Sequence, residues 1–208
     1  AWSEHPVDAW IRAGLDERGY TPAERATPET LLRRATFTLT GLPPTPVERE
    51  AFLAAVSDLG FDQAWSALLD GLFASPHYGE AQARHWLDLV RYAETDGYER
   101  DSAKRNIWRY RDWVIRASNR DLPYDRFIQL QLAGDEYAAD MEDPFEAADA
   151  KLATGFYRIG VYDDEPADRQ QAASDARADI VDTVSQVVFG TTMGCARCHD
   201  HKADPITQ

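Results

Sequence analysis

The sequence predicts an all-α protein. Three observations carry this: apolar residues recur at helical spacing along most of the chain, several segments open on a capping residue followed by proline, and few stretches alternate with period two. The expected architecture is an irregular bundle of about seven to nine helices ending in a C-terminal segment of different character. Residues 1–208 are read as one domain.

The elements follow in order. Val7, Trp10, Ile11 and Leu15 form a stripe that Gly19 closes. Thr27-Pro28-Glu29 is a helix start, and Leu31, Leu32, Ala35 and Leu39 form the face behind it, ending at Gly41. Thr36 to Leu42 is β-rich in composition, but its neighbours place it in that helix. Pro43-Pro44 connects to Thr45-Pro46-Val47-Glu48, a capping box that opens a helix through Val56. Asp62 is expected to cap the next helix, with Trp65, Leu68, Leu69, Leu72 and Phe73 as its stripe and Ser75-Pro76 as its break.

A longer helix is expected from Gly79 to Glu94, then a turn at Asp96-Gly97. Trp108 to Asn119 and Tyr124 to Ala133 read as helices on either side of Leu122-Pro123. Residues 134–150 read as an acidic loop, 151–159 as a short helix, and 160–171 as a polar loop. Asp175 to Phe189 reads as the last helix, with Ile180, Val181, Val184 and Val188 on one side. Gly190 and Gly194 then loosen the chain.

Composition narrows the function classes. The chain is 44% hydrophobic and 11% aromatic, enough for a real core, and no apolar run approaches the ~20 residues of a membrane span. With 36 acidic and 22 basic residues the net charge is −14, which argues against nucleic acid and anionic lipid as partners. There is no Gly-rich phosphate loop and no G-x-S-x-G. Asp96, Glu99 and Asp101, and Asp163, Asp164, Glu165 and Asp168, do not follow calcium-loop spacing and read as solvated loops. The chain begins at Ala1 rather than Met, and it reads as a piece of a longer polypeptide.

The most specific feature is Cys195-Ala196-Arg197-Cys198-His199, a C-x-x-C-H sequence that uses both cysteines of the chain. Two thiols at this spacing reach the two vinyl groups of one porphyrin. The following histidine then offers a ring nitrogen to the iron. The expected cofactor is covalent haem c, held by Cys195 and Cys198, with His199 as proximal ligand. Because haem c is attached outside the cytoplasm, the motif implies an exported domain, periplasmic or at the cell surface. Two other readings stay open: zinc held by Cys195, Cys198, His199 and His201, or a Cys195–Cys198 disulfide.

The second axial ligand decides between electron carrier and enzyme. His85, beside Trp86, Leu89 and Tyr92, is the leading distal candidate, with a core histidine as the competing reading. His77 reads as a helix-start residue, Met193 as a packing hydrophobe, and His5 and Met141 as exposed. His201 is too close to His199 in sequence to reach the opposite haem face. Arg197 and Lys202, and beyond them Arg84, Arg109 and Arg111, are the cations available to haem propionates. Arg109-Tyr110-Arg111-Asp112 reads rather as an internal salt-bridge network.

Several motifs in order resemble one family. They are Leu39-Thr40-Gly41-Leu42-Pro43-Pro44-Thr45-Pro46, Ser75-Pro76-His77-Tyr78-Gly79-Glu80 and Ala83-Arg84-His85-Trp86-Leu87-Asp88-Leu89. Trp108-Arg109-Tyr110-Arg111-Asp112-Trp113-Val114, Gln131-Leu132-Ala133-Gly134-Asp135 and Gly194-Cys195-Ala196-Arg197-Cys198-His199-Asp200-His201-Lys202 complete the set. Together they resemble the domain of unknown function associated with planctomycete cytochrome c domains, over nearly the whole chain. The resemblance implies a large exported bacterial protein in a redox setting, with a neighbouring cytochrome or another domain of the same polypeptide as partner. It implies no established reaction. Ala203 departs from the family's pattern, where a bulky aromatic often stands.

The functional expectation is a mono-haem c-type cytochrome domain that passes electrons to or from a neighbouring cytochrome or catalytic domain. The alternatives are a haem enzyme component with an open distal site, peroxidase- or oxidase-like, and a non-redox helical interaction module with zinc or a disulfide at the motif.

Overall fold

The computed structural model describes residues 5–208, so Ala1 lies outside the described residues. Among these residues there are nine α-helices and no strand, only an isolated antiparallel bridge between Thr95 and Ala103. The helices are α1 (Pro6–Glu17), α2 (Pro28–Thr40), α3 (Pro46–Leu59), α4 (Phe61–Phe73), α5 (Pro76–Leu89), α6 (Trp108–Asn119), α7 (Tyr124–Ala139), α8 (Pro144–Ala153) and α9 (Arg169–Phe189). Two 3-10 turns, Thr154–Arg158 and Met193–Arg197, follow α8 and α9.

Local chemistry explains most helix starts. Five helices, α1, α2, α3, α5 and α8, open on proline, which has no N–H to leave unpaired in a first turn. The capping box at α3 is complete: the Thr45 N–H donates to Glu48 at 2.7 Å and the Glu48 N–H to the Thr45 hydroxyl at 3.3 Å. Thr27 caps α2 through the Thr30 N–H, and Gly41 ends that helix at φ +71°.

Several boundaries differ from the sequence reading. Asp62 does not cap α4. Gly60, at φ +86°, takes the cap position two residues earlier, and Asp62 sits in the first turn, where its charge suits the helix dipole. α5 covers Pro76–Leu89 rather than 79–94, because Ser75-Pro76 both breaks α4 and caps α5 through the His77 N–H. α7 continues to Ala139 through a kink at Ala133 (φ −144°, ψ 29°), the residue where the helix was expected to stop. Part of the expected acidic loop is α8, capped by Asp143 on the Phe145 N–H. α9 begins at Arg169 because Asp168 caps it, accepting from Gln170 and Gln171.

Two apolar clusters organise the chain. Leu32, Phe52 and Ala64 join α2, α3 and α4, with Trp65 stacked on Phe61 at 5.6 Å. The larger cluster gathers α5 to α8 around Trp113, which is fully buried and stacks on Phe127 at 5.2 Å. α2 also packs on α5 and so links the two. Trp86, Tyr110 and Gln131 form a paired polar group inside the larger core, the Trp86 indole N–H reaching Tyr110 and Gln131, both at 3.0 Å, whereas the buried Trp113 indole N–H has no partner among the described residues.

α7 and α8 pack closely where Gly134 faces Ala150; a β-carbon on Gly134 would stand 2.1 Å from the Ala150 carbonyl oxygen. α9 is joined to this body by Ile180, Val184 and Val187, which pack against the larger core. The Arg91 guanidinium adds an ion pair to Asp179 at 2.9 Å. α9 thereby becomes the platform for the chain's C-terminal turn.

Candidate functional site at the C-terminal turn

α9 ends at Gly190, in the left-handed region at φ +66°, and the Thr191 N–H returns to the Ser185 carbonyl at 3.0 Å. The chain thereby folds back, and the 3-10 turn Met193–Arg197 packs on α9. Asp182 accepts the Gly194 N–H at 2.9 Å, and Asp175 accepts from the Arg197 guanidinium at 2.5 Å. These carboxylates are seven residues apart, two helical turns on one face. They hold the turn on both sides of Cys195. Hydrogen bonds from Arg197, then from Gln171, keep the Asp175 carboxyl below its ordinary range.

Cys195 and Cys198 are both exposed and free. The Cys195 N–H donates to Thr192 at 3.1 Å and the Cys198 N–H to Cys195 at 3.3 Å, so the backbone between the thiols is fixed within the turn. His199 is exposed, and its Nδ1 lies 2.8 Å from the Asp200 carbonyl oxygen. A carbonyl only accepts, so Nδ1 carries the proton. Nε2 of the neutral ring then keeps a free lone pair. This is the tautomer of a histidine that ligates a metal through Nε2, with its other nitrogen held by an outer partner. Two accessible thiols and an imidazole in that tautomer fit covalent haem.

His201 has a different role. Its Nδ1 accepts the Asp204 N–H at 2.8 Å and the Ala203 N–H at 3.3 Å, and its Nε2 meets the Thr192 hydroxyl at 2.9 Å. The Asp204 carboxylate is 3.3 Å from Nδ1, but a nitrogen already accepting two N–H groups is no cation donor to it. With both ring nitrogens committed and the side chain 9% exposed, His201 ties the segment after the motif back to Thr192. The four residues proposed for zinc are not assembled as a ligand set. Among the described residues no group of three or more His, Cys, Asp or Glu side chains is placed to hold a metal ion.

The other candidates lie as follows. His85 is exposed on α5, which packs mainly on α2 and α6, whereas the motif packs on α9. The apolar neighbours Ala83, Trp86, Leu87 and Val90 face the core and leave His85 outside it. His77 pairs with Glu80 at 2.8 Å, and His5 caps α1 through the Val7 N–H. Met141 is not exposed as expected but half-buried against the larger core, because α7 extends far enough to bring it there. Arg197 is occupied by Asp175, and Lys202 is exposed. Arg111 pairs with Glu94 and Asp112, as the salt-bridge reading expects, while Arg109 lies over the Trp108 ring.

The acidic loops bind their own chain. Arg100 bridges to Asp164 and Glu165, and Asp101 accepts the Gly97 N–H at 2.9 Å. Sequence reasoning missed Asp175, Asp182 and Arg177, the polar residues α9 presents beside the motif. The only signal was a pair of aspartates at i and i+7 in the preceding helix.

No helix among the described residues is long and apolar enough to cross a membrane. No curated protein and no solved structure is similar enough to match the chain. The motifs that run from Leu39 to Lys202 do have a counterpart. The family PSCyt2, described as a protein of unknown function (DUF1549), matches residues 6–208, and the chain belongs to that family.

Proposed function

We propose that the chain is a mono-haem c-type cytochrome domain of an exported, multidomain bacterial protein, passing electrons between a neighbouring cytochrome or catalytic domain and its own haem. The observation that carries this reading is the His199 tautomer beside two exposed thiols: Nδ1 is held by the Asp200 carbonyl, and Nε2 is left to bind iron. A bound haem c would supply a one-electron couple. Cys195 and Cys198 would hold the haem by adding their thiols across its two vinyl groups, the S–C bond forming at one carbon and the thiol proton going to the other, so attachment would need no oxidant. Asp175 and Asp182 fix the turn that presents both cysteines. The periplasm or cell surface is the compartment this attachment requires.

A second reading keeps the haem but leaves its distal side open for peroxidase- or oxidase-like chemistry. It draws on the commitment of His201 to Thr192 and on the outward position of His85. The zinc reading needs a fourth ligand from elsewhere, since His201 is occupied.

The test is export in a host with c-haem maturation, followed by intact mass and haem-stained denaturing gels. The wild type gains one covalent haem per chain, and the double variant Cys195→Ser/Cys198→Ser gains none. Equal staining of both, or a colourless wild type, overturns the proposal.

A further inference from the structure

The two anchoring carboxylates leave a groove between α9 and the 3-10 turn. Ala178, Val181 and Met193 provide its apolar wall, and it encloses about 300 Å3. That is the lower end of small-molecule sites, ~300–1,000 Å3, so the groove suits one edge of a porphyrin rather than the whole. Gly194 and Arg197, which flank Cys195 and Ala196, also line it, so it is continuous with the attachment motif.

Its cations are not equivalent. The Arg197 guanidinium is taken by Asp175 at 2.5 Å. Arg177 lines the same groove and makes no ion pair or hydrogen bond with any described residue. Asp182 is the acidic residue of the groove, and its Oδ1 is engaged by the Gly194 N–H. An anion entering there is repelled by Asp182 and drawn to Arg177.

We infer, resting on the cytochrome reading, that this groove seats one edge of the haem and that Arg177, rather than Arg197 or Lys202, is the side chain that pairs with a propionate. A guanidinium is suited to bidentate pairing with a carboxylate. Its positive charge near the ring favours the reduced iron centre, which carries one positive charge less.

The test uses the haem-loaded protein and reads its midpoint potential against pH. Arg177→Glu lowers the potential and strengthens its pH dependence, because the propionate loses its counter-charge. Val181→Asp, in the same groove, also lowers it. Arg177→Lys restores most of the wild-type value. Arg34→Glu makes the same charge change on α2, which packs on α3, α4 and α5, and leaves the potential unchanged. If Arg177→Glu merely matches Arg34→Glu in a haem-loaded protein, the inference fails while the cytochrome reading stands. If the wild type carries no haem, both fail.

Discussion

The Gly194 N–H rests on the Asp182 carboxylate, 2.9 Å from Oδ1, and a β-carbon at position 194 would stand 2.5 Å from that same oxygen. The contact as it stands leaves no room for a β-carbon immediately before Cys195 unless the Asp182 carboxylate swings away. Gly194→Ala is expected to displace the carboxylate and lose its charge-assisted hydrogen bond, at a cost of about 1–3 kcal/mol. Amide exchange at Gly194 should accelerate while exchange in α6 stays slow. Unchanged protection at Gly194 would contradict the anchoring role.

The other anchor is pH-sensitive. Hydrogen bonds from Arg197 and Gln171 lower the Asp175 carboxyl below its ordinary value of 3.8. A carboxyl depressed in the folded state stabilises it above the unfolded pKa, and that contribution is lost as pH falls through the folded one. The turn should therefore stay attached at neutral pH and loosen only below about pH 4. Carboxyl NMR titration should show Asp175 below ordinary aspartates, and Arg197→Ala should raise it. An Asp175 that titrates alike in both proteins would refute the pairing.

Gly134→Ala probes the α7–α8 packing. The new methyl would meet the Ala150 carbonyl oxygen at 2.1 Å, a backbone atom that moves only if the helices part. Overpacking of this kind costs about 1–3 kcal/mol, and this contact belongs at the upper end. The urea midpoint should fall accordingly; a midpoint within error of wild type would mean that the helices do not approach so closely.

The Tyr110 hydroxyl donates to Gln131 at 2.5 Å and accepts from Trp86 at 3.0 Å. Burial raises its pKa well above the ordinary phenol range, so the hydroxyl stays protonated and remains a donor. Tyr110→Phe should cost about 0.5–1.5 kcal/mol, because Gln131 loses one of its two donors and keeps Trp86, and should alter Trp86 fluorescence. A neutral substitution would place water or another partner there.

Helix starts were legible at Thr27-Pro28 and Thr45-Pro46, where a capping side chain meets proline, but the same pairing at Ser75-Pro76 reads only as a break and at Asp143-Pro144 as part of an acidic loop. The end of α7 beyond Ala133 and α8 up to residue 150 were not legible. Their inward residues are small, with Gly134, Ala138, Ala150 and Ala153 buried at close helix contacts, and such residues draw no apolar stripe. Cys195, Cys198 and His199 stand out in the sequence because the C-x-x-C-H pattern is defined by spacing alone. The carboxylates that hold them were hidden, since their partners lie in a 3-10 turn that no periodicity announces. His85 was placed in an apolar setting by its neighbours' identity, whereas helical phase puts Ala83, Trp86, Leu87 and Val90 on one face and His85 off it.

The most direct test of the cytochrome reading is the visible spectrum of the exported, haem-matured protein, oxidised and dithionite-reduced, with a pyridine haemochrome assay. The account predicts a sharp reduced α band and one covalent haem per chain. Correctly matured protein with no Soret band would contradict it.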